Sequence, residues 1–174
     1  MFIPELTTRI TVEIDTTGLD DALNLVESSD VLSEITSLTD ELNDRKNKLL
    51  DLKQPLGEAV ADALSSNQEN IISSKHYLTG MMSNSVDVMS DGDDFLVSNT
   101  ASSIDGFPYP LAIEKGTKDH WIAPATFSAL HWTDGSGEHW SKGHMVSGIT
   151  ADPFVEPSIE DTIYQIESIL DEVI

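Results

Sequence analysis

A chain of 174 residues with 39% hydrophobic residues has material for one modest core. With no cysteine it forms neither a disulfide nor a thiolate site, and no apolar run approaches the roughly 18 residues that cross a bilayer. Its 31 acidic residues against 9 basic ones give a formal net charge of −22, which leaves little with which to grip phosphates.

The acids are spread along nearly the whole chain, and only Arg9 and Arg45 are arginines. Such an excess fits disorder, adaptation to high salt, or mimicry of nucleic acid. The apolar periodicity below speaks against disorder. We read the composition as salt adaptation, because at about 1 M salt the Debye length falls to roughly 3 Å and a self-repelling surface is tolerated. Sparse Lys with abundant Asp, Glu, Thr and Ser fits a haloarchaeal origin.

The opening stretch "MFIPELTTRITVEID" has no basic region followed by an apolar one, so no signal peptide is expected. Within it, Ile10, Val12 and Ile14 alternate with polar residues and predict a strand over 8–15. Thr16-Thr17-Gly18 breaks the alternation, and Asp20 and Asp21 suit a first helical turn. From Val31 the period changes. Val31, Ile35, Leu38, Leu42, Arg45, Leu49 and Leu52 follow a heptad spacing. Gln54-Pro55 interrupts it, and Leu56, Val60, Ala63, Leu64 and Ile71 continue as the stripe of a second helix, so that 31–73 is one helical segment.

Val86 and Val88, then Phe95 and Val97, alternate on either side of Ser90-Asp91-Gly92-Asp93, which predicts a hairpin with strands near 84–90 and 94–99. The acids of that turn lack the ligand spacing of a helix–loop–helix calcium site and read as a plain turn. The segment "FPYPLAIEKGTKDH" (107–120) is neither a clean helix nor a clean strand. Short strands are expected over 127–132 and 138–143, with a turn at 133–137. A last helix over 156–173 carries Ile159, Ile163, Ile166, Leu170 and Val173 on one stripe. The fold class is therefore α+β: a small, mostly antiparallel sheet packed by a long N-terminal helical segment and a C-terminal helix, in a single domain over 1–174.

Candidates for chemistry are weak. Histidines stand at 76, 120, 131, 139 and 144, without the helical i, i+4 pair of a zinc protease. No serine sits in Gly-x-Ser-x-Gly, and "TDGSGEH" lacks the Lys-Ser/Thr of a phosphate loop. A metal-dependent hydrolase using His120, His131, His139 and His144 stays open as a rival reading, as does an acidic DNA mimic. No catalytic residue, metal or cofactor is assigned.

The order of motifs resembles the tail-completion, or head–tail connector, family of long-tailed phages and archaeal tailed viruses. The family's Thr-Gly-x-Leu-x-x-Ser stretch is matched by Thr79, Gly80, Met82 and Ser85. Its Tyr-Ala-x-x-x-Glu-x-Gly-Thr segment is matched by Tyr109, Glu114, Gly116 and Thr117, with Pro110 in place of Ala. Ile122, Pro124, Ala129, Leu130 and Trp132 follow, then Pro153, Phe154, Val155 and Pro157, with Ser158 where Ala is usual.

The resemblance implies a non-enzymatic virion protein of the neck or tail, assembled in the host cytoplasm as a homomeric ring, commonly sixfold. Its neighbours would be neck and tail-tube proteins, with viral DNA passing through the lumen without specific binding and with no membrane contact. A tail terminator, a head-closure stopper or a minor tail protein would use related folds. Ring closure needs head-to-tail contacts between different patches. The residues expected there are Phe107, Tyr109, Glu114, Gly116, Thr117, Trp121, Trp132, Trp140 and Phe154. Phe107–Pro110 is a stiff loop and the tryptophans are low-entropy anchors. The alternative for Trp121, Trp132 and Trp140 is that they fill the core.

Overall fold

A computed structural model describes residues 6–27, 34–75, 80–104 and 106–174. Val31 of the heptad seam, His76, and Thr79 of the Thr-Gly motif lie outside the described residues. The fold is α+β. Its main sheet has three antiparallel strands, β1 (Leu6–Ile10), β2 (Val86–Asp91) and β3 (Asp94–Asn99), in the order β1-β3-β2. The first strand thus starts and stops earlier than the expected 8–15. Ile10 stands opposite Phe95, and β3 begins at Asp94, so residues 11–15 keep alternating in burial but pair with no strand among the described residues. The β2–β3 hairpin forms as expected. Gly92 and Asp93 make its two-residue loop, with Gly92 at φ +65° in the first position, the II′ arrangement that matches strand twist. The acids of this turn are held by cations: Arg9 donates to Asp91 at 2.8 Å and to Asp94 at 2.7 Å, and Lys53 to Asp93 at 2.9 Å.

Among the described residues, three α-helices lie between β1 and β2: α1 (Thr17–Glu27), α2 (Glu34–Asp51) and α3 (Lys53–Lys75). The Asp15 carboxylate accepts the Thr17 N–H at 2.9 Å and starts α1. α1 packs on α2 and is tied to it by the Asp20–Lys46 ion pair, which holds the Asp20 carboxyl below its ordinary range. The heptad seam does not become a buried seam. Leu38 and Leu49 remain 45% and 40% exposed, and α2 meets α1 more than it meets α3. Arg45, on the expected seam, pairs instead with Glu41 one turn away.

α3 is the spine of the molecule, lying against β2, β3 and the C-terminal helix α5 (Val155–Val173). Its buried residues are Gly57, Ala61, Leu64, Asn67, Gln68 and Ile72. Leu64 is buried as expected, whereas Leu56, Val60, Ala63 and Ile71 are half-buried, each one position before a buried residue. The cause is close approach. A Cβ on Gly57 would lie 2.6 Å from the Phe95 ring, so the helix rests directly on the aromatic floor of the sheet. The same holds where α3 meets α5. Asn67 Nδ2 donates to Thr162 Oγ1 at 3.0 Å, Thr162 donates to the Ser158 carbonyl at 2.8 Å, and Ser158 is fully buried. Ile163, expected on the stripe of α5, is 63% exposed, because small hydroxyl residues take the centre of that face.

The core joins Ala61, Leu64 and Ile72 of α3 with Val86, Phe95 and Val97 of the sheet, Met82, Ala101, and Phe154 just before α5. Beyond it, residues 107–120 contain a short helix α4 (Tyr109–Lys115), with Pro110 in its first turn where a missing N–H is tolerated. Two further ladders follow: β4 (His120–Ile122) with β7 (His144–Val146), and the hairpin β5 (Leu130–Asp134) with β6 (Gly137–Ser141). The strands expected within 127–143 do not extend the main sheet; they form a separate hairpin. Large polar aromatics on both of its faces leave it no apolar side to bury. Among the described residues, no helix is long and apolar enough to cross a membrane.

Candidate functional site

The segment 113–117 is stitched to 149–155 across the chain. The Glu114 carboxylate accepts the N–H groups of Phe154 at 2.8 Å and Val155 at 3.2 Å, which are the first donors of α5. The Ile113 carbonyl accepts the Asp152 N–H at 2.9 Å. Thr117 exchanges two hydrogen bonds with Ile149: its N–H donates at 2.8 Å, and its Oγ1 accepts at 2.9 Å. Asp119 completes the join by accepting the Gly148 N–H at 2.8 Å.

Glu114 is therefore a helix cap supplied from a distant element. A carboxylate suits this place because α5 has no side-chain cap at its own N-cap residue and presents unpaired N–H groups at the positive end of its dipole. Replacing Glu114 by Gln keeps an acceptor but removes the charge, with an expected loss of about 1 kcal/mol; Glu114→Ala removes both, for about 2 kcal/mol. Denaturant midpoints of the two variants should fall in that order, and equal midpoints to the parent would show that the cap contributes nothing.

Phe154, expected at a subunit interface, lies wholly within the subunit at 0% exposure. Glu114, Gly116 and Thr117 are engaged in the clasp, and Tyr109 packs against the core. Of the expected contact residues, the exposed ones are Phe107, Trp121, Trp132 and Trp140, at 53%, 61%, 38% and 67%. The three tryptophans thus stand on the surface of this chain and do not fill its core.

The β5–β6 register explains how they are held. His131 faces Trp140, and Trp132 faces His139. Each pair stacks, with ring centroids 4.2 Å apart for His131–Trp140 and 5.2 Å for Trp132–His139. Successive strand residues point to opposite faces, so the hairpin carries one Trp–His stack on each side. Trp132 also meets the His144 ring at 5.0 Å, which ties the hairpin to β7. Cross-strand aromatic pairs of this kind stiffen a two-stranded ribbon that has little else to pack on. The turn is fixed by Asp134, whose carboxylate accepts from the Ser136 N–H and Oγ at 2.8 and 2.7 Å and lies 2.9 Å from His139 Nε2. Those bonds, the Ser136 hydroxyl first, hold the Asp134 carboxyl below its ordinary range.

On the His131–Trp140 side, the segment 124–130 borders a groove of about 610 Å³. Phe127, on its wall, is 82% exposed. In the second ladder Trp121 stands directly opposite Met145, itself 58% exposed. Phe127 and Met145 are not singled out by the sequence. The pairing of Trp121 with Met145 joins β4 to β7 around the whole β5–β6 hairpin, and no local pattern reports it.

The histidines do not converge. His131 is on the opposite face of the hairpin from His139, and among the described residues no group of three His, Asp or Glu side chains is placed to hold a metal ion. What the region offers is exposed, pre-stiffened aromatic surface on a scaffold locked by the Glu114–Thr117 clasp. No protein-family model, no curated protein and no solved structure matches the chain.

Proposed function

We propose that the chain is a structural protein of a tailed virus, a tail-completion or head–tail connector subunit that closes into a ring in the neck or at the top of the tail. The observation that carries this reading is the exposed aromatic surface of Trp121, Trp132 and Trp140, the last two held by stacking on histidines and the first by the β4–β7 ladder, beside a backbone clasp. Large apolar patches on a highly charged chain mark contact sites. Anchors already fixed in one shape lose little entropy on assembly.

The ordered motif series agrees with the same reading. Glu114, Gly116 and Thr117 belong to the segment that resembles the family's Glu-x-Gly-Thr, and they share the clasp with Phe154 of the Pro-Phe segment. A net charge of −22 suits a lumen through which DNA slides without being bound.

The test is a reconstruction of the intact particle, with the position of this chain marked by a fused density tag. The expected result is a ring of this chain at the head–tail junction. A particle that lacks the chain, or carries it only as isolated copies, would overturn the proposal. A ring found elsewhere in the tail would favour a terminator or a minor tail protein.

A further inference from the structure

Of the nine basic residues, Arg9, Arg45, Lys46, Lys48, Lys53 and Lys75 are each engaged by a carboxylate of the same chain. Lys115, Lys118 and Lys142 have no ion pair among the described residues, although the chain carries 31 acids. Two of these lysines frame one apolar patch. Lys118 precedes β4 and Lys142 precedes β7, and because these strands are antiparallel the two lysines stand at opposite ends of the ladder. Between them the Trp121–Met145 pair is exposed at 61% and 58%. The patch thus reads cation, aromatic with thioether, cation.

A complementary pattern lies on α5. Glu160, Tyr164, Glu167 and Asp171 recur at i, i+4, i+7 and i+11 and share one helix face. All four are exposed, Tyr164 at 86%, and the face lies opposite the one that Ser158, Thr162 and Ile169 bury. This second patch reads acid, aromatic, acid.

We infer that the Lys118–Trp121–Met145–Lys142 patch of one copy docks on the Glu160–Tyr164–Glu167 face of α5 in the next copy. A second copy is the occupant because each patch supplies what the other lacks. Tyr164 meets the Trp121–Met145 pair, and the two lysines meet the acids that flank it. The patches are different surfaces of one chain, so the contact is head-to-tail and repeats from copy to copy. The apolar centre supplies the anchor, and the flanking charges set direction and register.

The inference rests on the ring reading and adds to it the two surfaces that meet. The cysteine-free chain gives a clean background for cross-linking. Met145→Cys, which leaves Trp121 in the patch, and Ile163→Cys, which leaves Tyr164 in place, are made as separate full-length variants at exposed positions and mixed under mild oxidation. The main product expected is the heterodimer, in which the thiol introduced by Met145→Cys in one copy is joined to that introduced by Ile163→Cys in the other. Its yield should be about tenfold above that of either homodimer. Adding Lys118→Glu and Lys142→Glu to the first variant should lower that yield about tenfold. Lys48→Glu with Lys75→Glu, which changes the net charge equally, should leave it near the parental level. Charge reversal of Glu160 and Glu167 to Lys should then restore the yield in the Lys-reversed pair.

A mixture with no excess of heterodimer overturns the contact, as does a yield indifferent to which lysines are reversed. A ring in the particle without this cross-link sinks the contact alone. The cross-link in a chain that forms no ring in the particle sinks the ring reading and leaves the contact standing.

Discussion

Gly116→Ala is expected to destabilise the fold by about 3 kcal/mol or more. Gly116 has φ +69° and ψ 172°, a region that side chains with a Cβ avoid. A Cβ there would also lie 2.7 Å from the Ile149 carbonyl oxygen and 2.8 Å from the Ala151 nitrogen. Both neighbours are main chain, so neither can swing aside as a side-chain end would. Relief requires 149–151 to retreat, which breaks the two hydrogen bonds that Thr117 shares with Ile149 and loosens the Glu114 cap on α5. Two glycines serve as controls. Gly92 also has a positive φ but nothing within 4 Å, so Gly92→Ala should cost about 1 kcal/mol, from backbone conformation alone. Gly135 has open space and no positive φ, and Gly135→Ala should stay within about 0.5 kcal/mol of the parent. Thermal or denaturant unfolding of the three variants tests the order. A Gly116→Ala midpoint equal to that of Gly92→Ala would show that the close approach at 149–151 yields freely.

The contrast between these glycines shows where the sequence could be read and where it could not. Gly92 sits in a Ser-Asp-Gly-Asp turn between alternating valines, a local signal, and the hairpin formed with the expected second strand. Gly116 announces a sharp turn but not the strand of chain that fills the space where its Cβ would be. That contact joins residues more than thirty apart. The same division runs through the helices. Their existence was legible, since period and cap signals are local. The centres of their buried faces were missed, since Gly57 and Gln68 on α3 and Ser158 and Thr162 on α5 are not apolar enough to be counted, although the expected Leu64 is buried and Ile71 and Ile159 pack against the core. Those faces are set by how closely two elements can approach, and small residues decide that.

The candidate site was legible in part for the same reason. Trp121, Trp132 and Trp140 stand out in the sequence as large contact surfaces, and the sequence leaves open whether they fill the core. In a chain with few large apolar residues in this region, alternation of Trp with His puts one stack on each face of the hairpin. Among the described residues the hairpin then joins neither other sheet, and its Trp132 side meets β7 through the His144 ring. Glu114 draws attention as a carboxylate near Lys and His. Its role becomes visible only when α5 is placed with its first N–H groups against it.

Phe154→Ala is expected to cost about 4 kcal/mol, a large fraction of the margin of a domain whose total stability lies in the usual range of about 5–15 kcal/mol. The ring is fully buried in the cluster that joins α3 to the sheet. Its own N–H is one of the two that Glu114 caps, so the side chain anchors α5 at the point where the helix starts. Loss of the ring opens a cavity in that cluster, and Val155 and Ile159 of α5, which already pack against the core, can refill it only if the helix itself shifts. Phe154→Leu refills most of the space and should cost about 1 kcal/mol. The readout that separates anchoring from mere volume is amide exchange along α5. In Phe154→Ala the first turns of the helix, from Val155 to Thr162, should lose protection before Ile166–Val173 does. In Phe154→Leu the gradient should match the parent. Uniform loss along the helix would show that Phe154 fills space without holding the helix start. A midpoint within about 1 kcal/mol of the parent would return the residue to the role that the sequence suggested, a side chain free to reach another subunit.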